Sequence, residues 1–448
     1  MKRIISIFAL LALCCAVAIP ATATTLWDYQ AVNAYGLGTH PLVNAPAYDN
    51  NVNIIEANQV TVEGVALAGM NDLWSGSVMY ALFIQDETCE RGGMEIWAGS
   101  FWWPLGGWRP AKYAAFNAGD RVRVTGFLAD HNGKVFINDR HTSDLEVCPE
   151  IKVIGHPGLP DPELIPSLSN CNYFDKTRND GGERYQTRFT MLHGVQITAG
   201  NWASNQTLTI ADESGVGSLY IPPMVNLSGV SRPVGKFSVV GIYDQEDGGS
   251  GSPVMYHNVY RMLLRNAGDI AMALDACREV RDCAVGDQVA VARKVVSRVY
   301  EGRFFIQDPN RAGGVEIISD RPVTVGDVVS IMGTVTESNG QKALNAKYVA
   351  KSRIGAAPLL VNGKTLAGQT GLDVFGLLVR CVGTIGTSQG SGLYNFKTDD
   401  NSVITLNSNG YAVPATGTMV TVTAVASGNA SAPVLMLGSA KDIAAVAQ

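Results

Sequence analysis

Charge is scarce in this chain. Asp, Glu, Lys and Arg make up 17% of its 448 residues, against ~25% in an ordinary soluble protein. The balance is acidic, −6 at pH 7, so the chain lacks the basic excess that drives bulk phosphate binding. Histidine is rare too. Its six copies, His40, His131, His141, His156, His193 and His257, are scattered and form no H-E-x-x-H pair. No cysteines keep the C-x-x-C spacing of a zinc site. A G-x-S-x-G elbow and a Walker loop are both missing, so no sequence motif proposes a catalytic centre. Beyond Ile19 no apolar run approaches ~18 residues, which excludes a long apolar membrane helix from that part of the chain. Glycine (48) and proline (19) together stay well below the ~25–30% of low-complexity chains. These absences describe a folded, weakly charged, turn-rich protein.

Residues 1–23 have the layout of a secretory signal. Lys2 and Arg3 form the charged start, Ile4 to Ile19 is apolar, and Ala21-Thr22-Ala23 supplies the small-residue cleavage pattern. Cleavage after Ala23 takes the formal charge to −8. The expected location is exported: extracellular, cell surface or periplasm. Six cysteines then remain, Cys89, Cys148, Cys171, Cys277, Cys283 and Cys381. Export permits disulfides, and Cys277 with Cys283, the closest two in sequence, form the expected local bridge.

The informative feature is internal similarity. The chain reads FIQDETCERGGMEI from Phe83 and FIQDPNRAGGVEI from Phe305. Further on, AGDRVRVTGFLADHNGK (118–134) parallels VGDVVSIMGTVTESNGQ (325–341) without a gap. Two blocks in the same order signal duplication. FIQD alternates as a half-buried strand does. The Gly-Gly that follows permits a tight turn, and Asn132-Gly133 and Asn339-Gly340 are hairpin signals. The same strand–turn–strand–Gly–strand order recurs more weakly over 195–244 and 377–427. The chain therefore reads as all-β, with four five-stranded units.

Five strands in this order, with a Gly-bent first strand, resemble an OB-fold, the partly open Greek-key barrel. The FIQD, Gly-Gly, Gly-Asp and Asn-Gly pattern is similar to the OB-like modules that occur in tandem, or beside catalytic domains, in secreted bacterial proteins. The resemblance covers units one and three well and units two and four in outline; it implies fold and export rather than an activity. The expected layout is a signal peptide (1–23), an N-terminal arm with unit one (24–155), unit two (156–272), unit three (273–354) and unit four (355–448). Segment 266–283 has helical spacing at Ile270, Leu274, Cys277 and Val280 and is expected to cap or join units two and three.

Candidate binding residues cluster in an insertion of unit one, SFWWPLGGWRPAKYAAF (100–116). Trp102, Trp103 and Trp108 offer flat apolar faces for sugars or bases, and Arg109 and Lys112 offer charge. The alternative is a loop that plugs the barrel, since OB-fold ligands use the strand 2–3 face and other loops. The repeated carboxylates Asp86/Asp308 and Glu95/Glu316 are expected in turns. DQEDGGSG (244–251) and NDGGE (179–183) are expected as solvated hairpin tips and not as calcium sites, because neither keeps a calcium-loop spacing. Cys381 aligns with core positions. No catalytic residue, metal or cofactor is expected. The function read from the sequence is a secreted, non-catalytic binding or cell-surface scaffold for an envelope glycan or a protein. An accessory nucleic-acid binder of an extracellular nuclease system is the alternative, and a hydrolase site between barrels is a third reading.

Overall fold

The alternating residues of the repeat do form strands. A computed structural model describes residues 25–74, 79–87, 92–99, 115–138, 140–141, 146–147 and 149–446, and these are all-β. The first sheet holds β1 (Val60–Ala66), β2 (Met79–Gln85), β3 (Gly93–Gly99), β4 (Arg121–His131) and β5 (Lys134–Asn138). β1 pairs with β2 and with β4, which closes the order β1-β2-β3-β5-β4 into a barrel. β6 (Arg140–His141) and β7 (Glu146–Val147) form a separate ribbon, and β8 (Glu150–Gly155) adds to β4.

The second sheet has 12 strands. It contains β9 (Glu163–Leu164), β10 (Arg188–Ala199), β11 (Gln206–Ala211), β12 (Val216–Ile221), β13 (Phe237–Gln245) and β14 (Tyr260–Leu264). It continues through β15 (Ile270–Leu274), β16 (Gln288–Tyr300), β17 (Arg303–Gln307), β18 (Gly314–Ile318), β19 (Asp327–Ser338) and β20 (Gln341–Arg353). Within it β13 also pairs with β10, and β17 with β16. The third sheet holds β21 (Leu359–Leu360), β22 (Leu378–Gly390), β23 (Leu393–Thr398), β24 (Val403–Asn407), β25 (Met419–Asn429), β26 (Ala432–Met436) and β27 (Ile443–Ala445). Here β22 pairs with β25. Closed five-strand barrels thus occur in each of the three large sheets. No helix among the described residues is long and apolar enough to cross a membrane.

Segment 266–283 departs from the helix expected there. Ile270 to Leu274 is β15, flanked by 3-10 turns at Ala267–Asp269 and Cys277–Asp282. β15 pairs antiparallel with β13 and parallel with β16. Its backbone finds two ready ladders, and that tertiary pairing overrides the i, i+4 spacing of Ile270 and Leu274. The turn that follows also explains why the expected bridge is absent. Cys277 and Cys283 are free thiols. Cys277 points into the core of the β16–β20 group, while Cys283 Sγ, at the far end of the turn, donates to Glu279 O at 3.4 Å. Cys89 and Cys148 lie outside the described residues.

The FIQD strands split their side chains between two cores. Ile84 and Ile306 face the interiors of their own strand groups. Phe83 instead joins the core that contains Phe189, and Phe305 joins Leu378, Val425 and Met436. The side chain of Gln85 accepts from Phe189 N–H at 2.8 Å, and that of Gln307 accepts from Leu378 N–H at 3.3 Å. Gly93 lies against the Thr187 carbonyl and Gly314 against the Gly376 backbone, so that a Cβ at either would overlap main chain. The repeated motif therefore docks one strand group onto the next. It does so twice, in the same way.

Residues 25–58 add no sheet strand. They make isolated bridges (Val32 with Gly38, Tyr48 with Ile54) and span the first two strand groups. Asn44 N–H donates to Leu128 O at 3.0 Å, while Tyr256 N–H donates to Tyr35 O at 2.9 Å.

Candidate functional site

One candidate site grows from a hairpin. Asn132 and Gly133 both take left-handed φ, 54° and 82°, as a two-residue hairpin turn requires. The tip rests on β13. Asn132 Nδ2 donates to Glu246 Oε1 at 2.7 Å. Gln186 Nε2 donates to Gly133 O at 3.2 Å and to Gln245 Oε1 at 2.8 Å. A side chain at position 133 would strike Gln245.

This seating carries Lys134 among the buried carboxylates of Glu95 and Asp244 and the partly exposed one of Glu246. Its Nζ lies 2.6 Å from Glu95 Oε2, 2.9 Å from Asp244 Oδ1 and 3.4 Å from Glu246 Oε2. Arg261, opposite Asp244 across β13 and β14, closes the network at 3.0 Å from both Asp244 and Glu246. Its guanidinium lies 4.9 Å from the centre of the Tyr220 ring, within cation–π range.

The environment sets the protonation states. Burial pushes the Glu95 carboxyl up, against the pull of Lys134. Burial also works to raise Asp244, yet Lys134 and Arg261 outweigh it and hold that carboxyl below its usual range. Burial opposes the charge of Lys134, but Asp244, Glu95 and Glu246 prevail and keep it protonated. A buried cation is tolerable only with such partners.

Beside the network opens a cavity of about 530 Å³ between the first barrel and strands β12–β14. Trp74, Trp97, Phe136 and Tyr220 supply aromatic walls. Among its lining groups Glu95, Asp130, Asp244 and Glu246 face two cations, Lys134 and Arg261. The lining is therefore acidic, which repels phosphate and favours hydroxyl or cationic groups. Asn138 adds a buried Oδ1 with no hydrogen-bond partner among the described residues. Such an acceptor is costly unless something donates to it. No cluster of metal-ligating side chains occurs among the described residues.

Trp102, Trp103, Trp108, Arg109 and Lys112 lie outside the described residues. Glu95 and Glu316 are not turn residues as expected; each is buried in mid-strand, opposite Phe83 and Phe305. Glu316 pairs with Arg303 at 3.2 Å. Asp308 does serve a turn, accepting from Cys277 N–H at 3.2 Å, and also holds the buried Lys294 at 2.6 Å. The acidic run at 244–251 is no solvated tip at its start: Asp244, Gln245 and Asp247 are buried. In the 179–183 run Glu183 is buried too, within a short helix Gly181–Tyr185. Cys381 is buried in the core of the third sheet, and that burial pushes its thiol up to about 12.

Lys134, Asp244, Glu246 and Arg261 belong to no binding motif of the sequence. One sequence signal was available: Lys134 follows the Asn-Gly turn where the other copy has Gln341.

No protein-family model matches the sequence, and no curated protein matches it. Solved structures show partial likeness. The hypothetical protein ygiW from E. coli is 18% identical, with 18% of this chain and 89% of that one covered and a TM-score of 0.16. A murine DNA binding protein bound with double-stranded DNA is 11% identical, covering 38% and 99%, with a TM-score of 0.18. A Replication Protein A heterotrimer bound to single-stranded DNA is 9% identical, covering 70% and 96%, with a TM-score of 0.19.

Proposed function

We propose that this chain is an exported, non-catalytic binding protein of four tandem OB-fold units that takes a saccharide in the cleft between the first and second units. The units follow the boundaries 24–155, 156–272, 273–354 and 355–448. The strand order 1-2-3-5-4, closed by 1–4, supports the OB-fold reading. Export rests on residues 1–23, which lie outside the described residues.

The observation that carries the ligand class is the lining of the cleft. Four aromatic side chains stand beside carboxylates and an unsatisfied Asn138 Oδ1. Sugar C–H faces pack on aromatic rings, and sugar hydroxyls donate to carboxylate and amide oxygens. Every charged group in the Lys134 network already has an opposite partner, so binding relies on neutral donors rather than on a new ion pair. β2 and β3, the strands whose face OB-folds use for ligands, contribute Ala81, Glu95 and Trp97 to the lining, while β4 and β5 contribute more of it. The nucleic-acid reading is disfavoured by the acidic lining and by the overall charge of −6.

A glycan array followed by calorimetry on the purified chain tests this. Asn138→Ala is expected to weaken saccharide binding about tenfold or more, with the melting temperature near that of the parent. Trp97→Ala is expected to weaken binding at least as much and also to lower the melting temperature, because Trp97 packs against the buried core. Binding to single-stranded DNA that weakens steeply with salt, with silence across the glycans, overturns the proposal.

A further inference from the structure

The docking motif recurs, so the geometry around it can be matched residue by residue. Phe189 pairs with Ile242, and its counterpart Leu378 pairs with Val425. Counting along β13 and β25 from that anchor, Asp244 corresponds to Ser427 and Glu246 to Asn429. Across the next ladder Asp244 faces Arg261 and Ser427 faces Val434. One strand further, Tyr220 pairs with Leu263 and Asn407 with Met436, which makes Asn407 the counterpart of Tyr220. On the partner group Asn132 corresponds to Asn339 by the hairpin alignment, and Ala81, opposite Trp97, corresponds to Arg303, opposite Ile318.

A second cavity, about 380 Å³, lies at these positions. Arg303, Asn339, Asn407, Ser427, Asn429 and Val434 all line it. Every one of the six is the counterpart of a residue that lines, or directly braces, the first cleft. Cavity and register are independent observations, and they coincide.

The chemistry of the two clefts differs. The positions of Asp244 and Glu246 carry a hydroxyl and an amide in the second cleft, and that of Arg261 carries an aliphatic side chain. Among the described residues Arg303 is the only charged one in the second lining, and it is paired with Glu316 at 3.2 Å. Gln389 and Thr405 add further neutral donors and acceptors. None of its described lining residues is aromatic, so its ligand is held at hydroxyl edges and not on a ring face.

We infer that the cleft between β17–β20 and β23–β26 is a second binding site, for a neutral polyhydroxylated ligand of the oligosaccharide class. The inference rests on reading the first cleft as a ligand site, because register equivalence is what marks the second. Hydrogen bonds among neutral groups carry the binding, so it is insensitive to salt.

The test is calorimetric titration of the full chain with neutral probes (cello-, malto-, xylo- and chito-oligosaccharides). It uses the parent, Trp97→Ala, Val434→Trp to fill the second cleft, and Thr405→Ala as a mild change that leaves the core intact. Binding that survives Trp97→Ala, is lost in Val434→Trp and falls about five- to tenfold in Thr405→Ala supports the second site. That holds even if the parent binds only one ligand, in which case the first-cleft reading fails alone. Binding that Trp97→Ala abolishes and the other two variants leave unchanged overturns the second site and keeps the first. No neutral oligosaccharide bound by the Trp97→Ala chain overturns it as well.

Discussion

The side-chain oxygen of Gln85 accepts a hydrogen bond from the backbone N–H of Phe189 at 2.8 Å, across the boundary between two strand groups. Phe189 is fully buried there, and an unpartnered N–H in such a place costs roughly 1–3 kcal/mol. Gln85→Ala should therefore destabilise the chain by about that amount, although it leaves every strand of the first barrel intact. Gly93→Val, which drives a side chain into the Thr187 carbonyl, should be worse, because main chain cannot move aside. Gly314→Val should do the same at Gly376. Urea denaturation and amide exchange at the ends of β3 and β18 read both effects; unaltered exchange in these variants would refute the docking role.

Lys134 is the second test. Replacement by Met removes one cation from contact with Glu95, Asp244 and Glu246 and leaves buried carboxylates to repel one another. The expected loss is about 3–5 kcal/mol at pH 7. The loss should shrink as pH falls and those carboxylates take up protons. A double substitution, Lys134→Met with Glu95→Gln, should recover part of the stability. Equal losses at pH 4.5 and pH 7 would contradict this account.

Glu183 predicts an unusual pH dependence. Burial pushes its carboxyl up to about 8, even though Tyr260 and Arg178 favour the charged form. Tyr260 OH donates to Glu183 Oε1 at 2.7 Å, and Oε2 has no hydrogen-bond partner among the described residues. Between the ordinary carboxylate range, near 4.5, and about 8 the folded chain holds a proton that the unfolded chain has released. Stability attributable to this group is then highest at low pH and declines through that window. Glu183→Gln keeps the neutral shape. It should flatten the decline and raise the melting temperature at pH 8 relative to the parent. A melting profile identical in the two proteins from pH 5 to 8 would sink the idea.

Much of the fold was legible because its cause is local. FIQD, Gly-Asp and Asn-Gly specify strand alternation and turn geometry within a few residues, and they repeat. The site was not legible for the opposite reason. Lys134 meets Asp244 only because one hairpin tip sits on a strand about a hundred residues further on, and no spacing rule reports that. The same distance hid the second task of Phe83 and Gln85: a half-buried strand face looks alike whether water or a neighbouring domain covers it. Glu95 and Asp244 misled through composition, since a carboxylate near glycines reads as a turn until a buried cation is found beside it. Segment 270–274 misled through period, because five residues are too few to separate strand from helix.

β15 gives the chain a property that its covalent sequence does not suggest. Three of its residues, Met272, Ala273 and Leu274, are laddered to Val289, Ala290 and Val291, and its other edge is laddered to β13. The connector between β15 and β16 is thus bypassed by main-chain hydrogen bonds on both sides of it. A protease that nicks residues 284–287 would yield two fragments on a denaturing gel and a single particle in solution. Cohesion of the two halves is expected to come from the sheet ladders as well as from the chain that connects them.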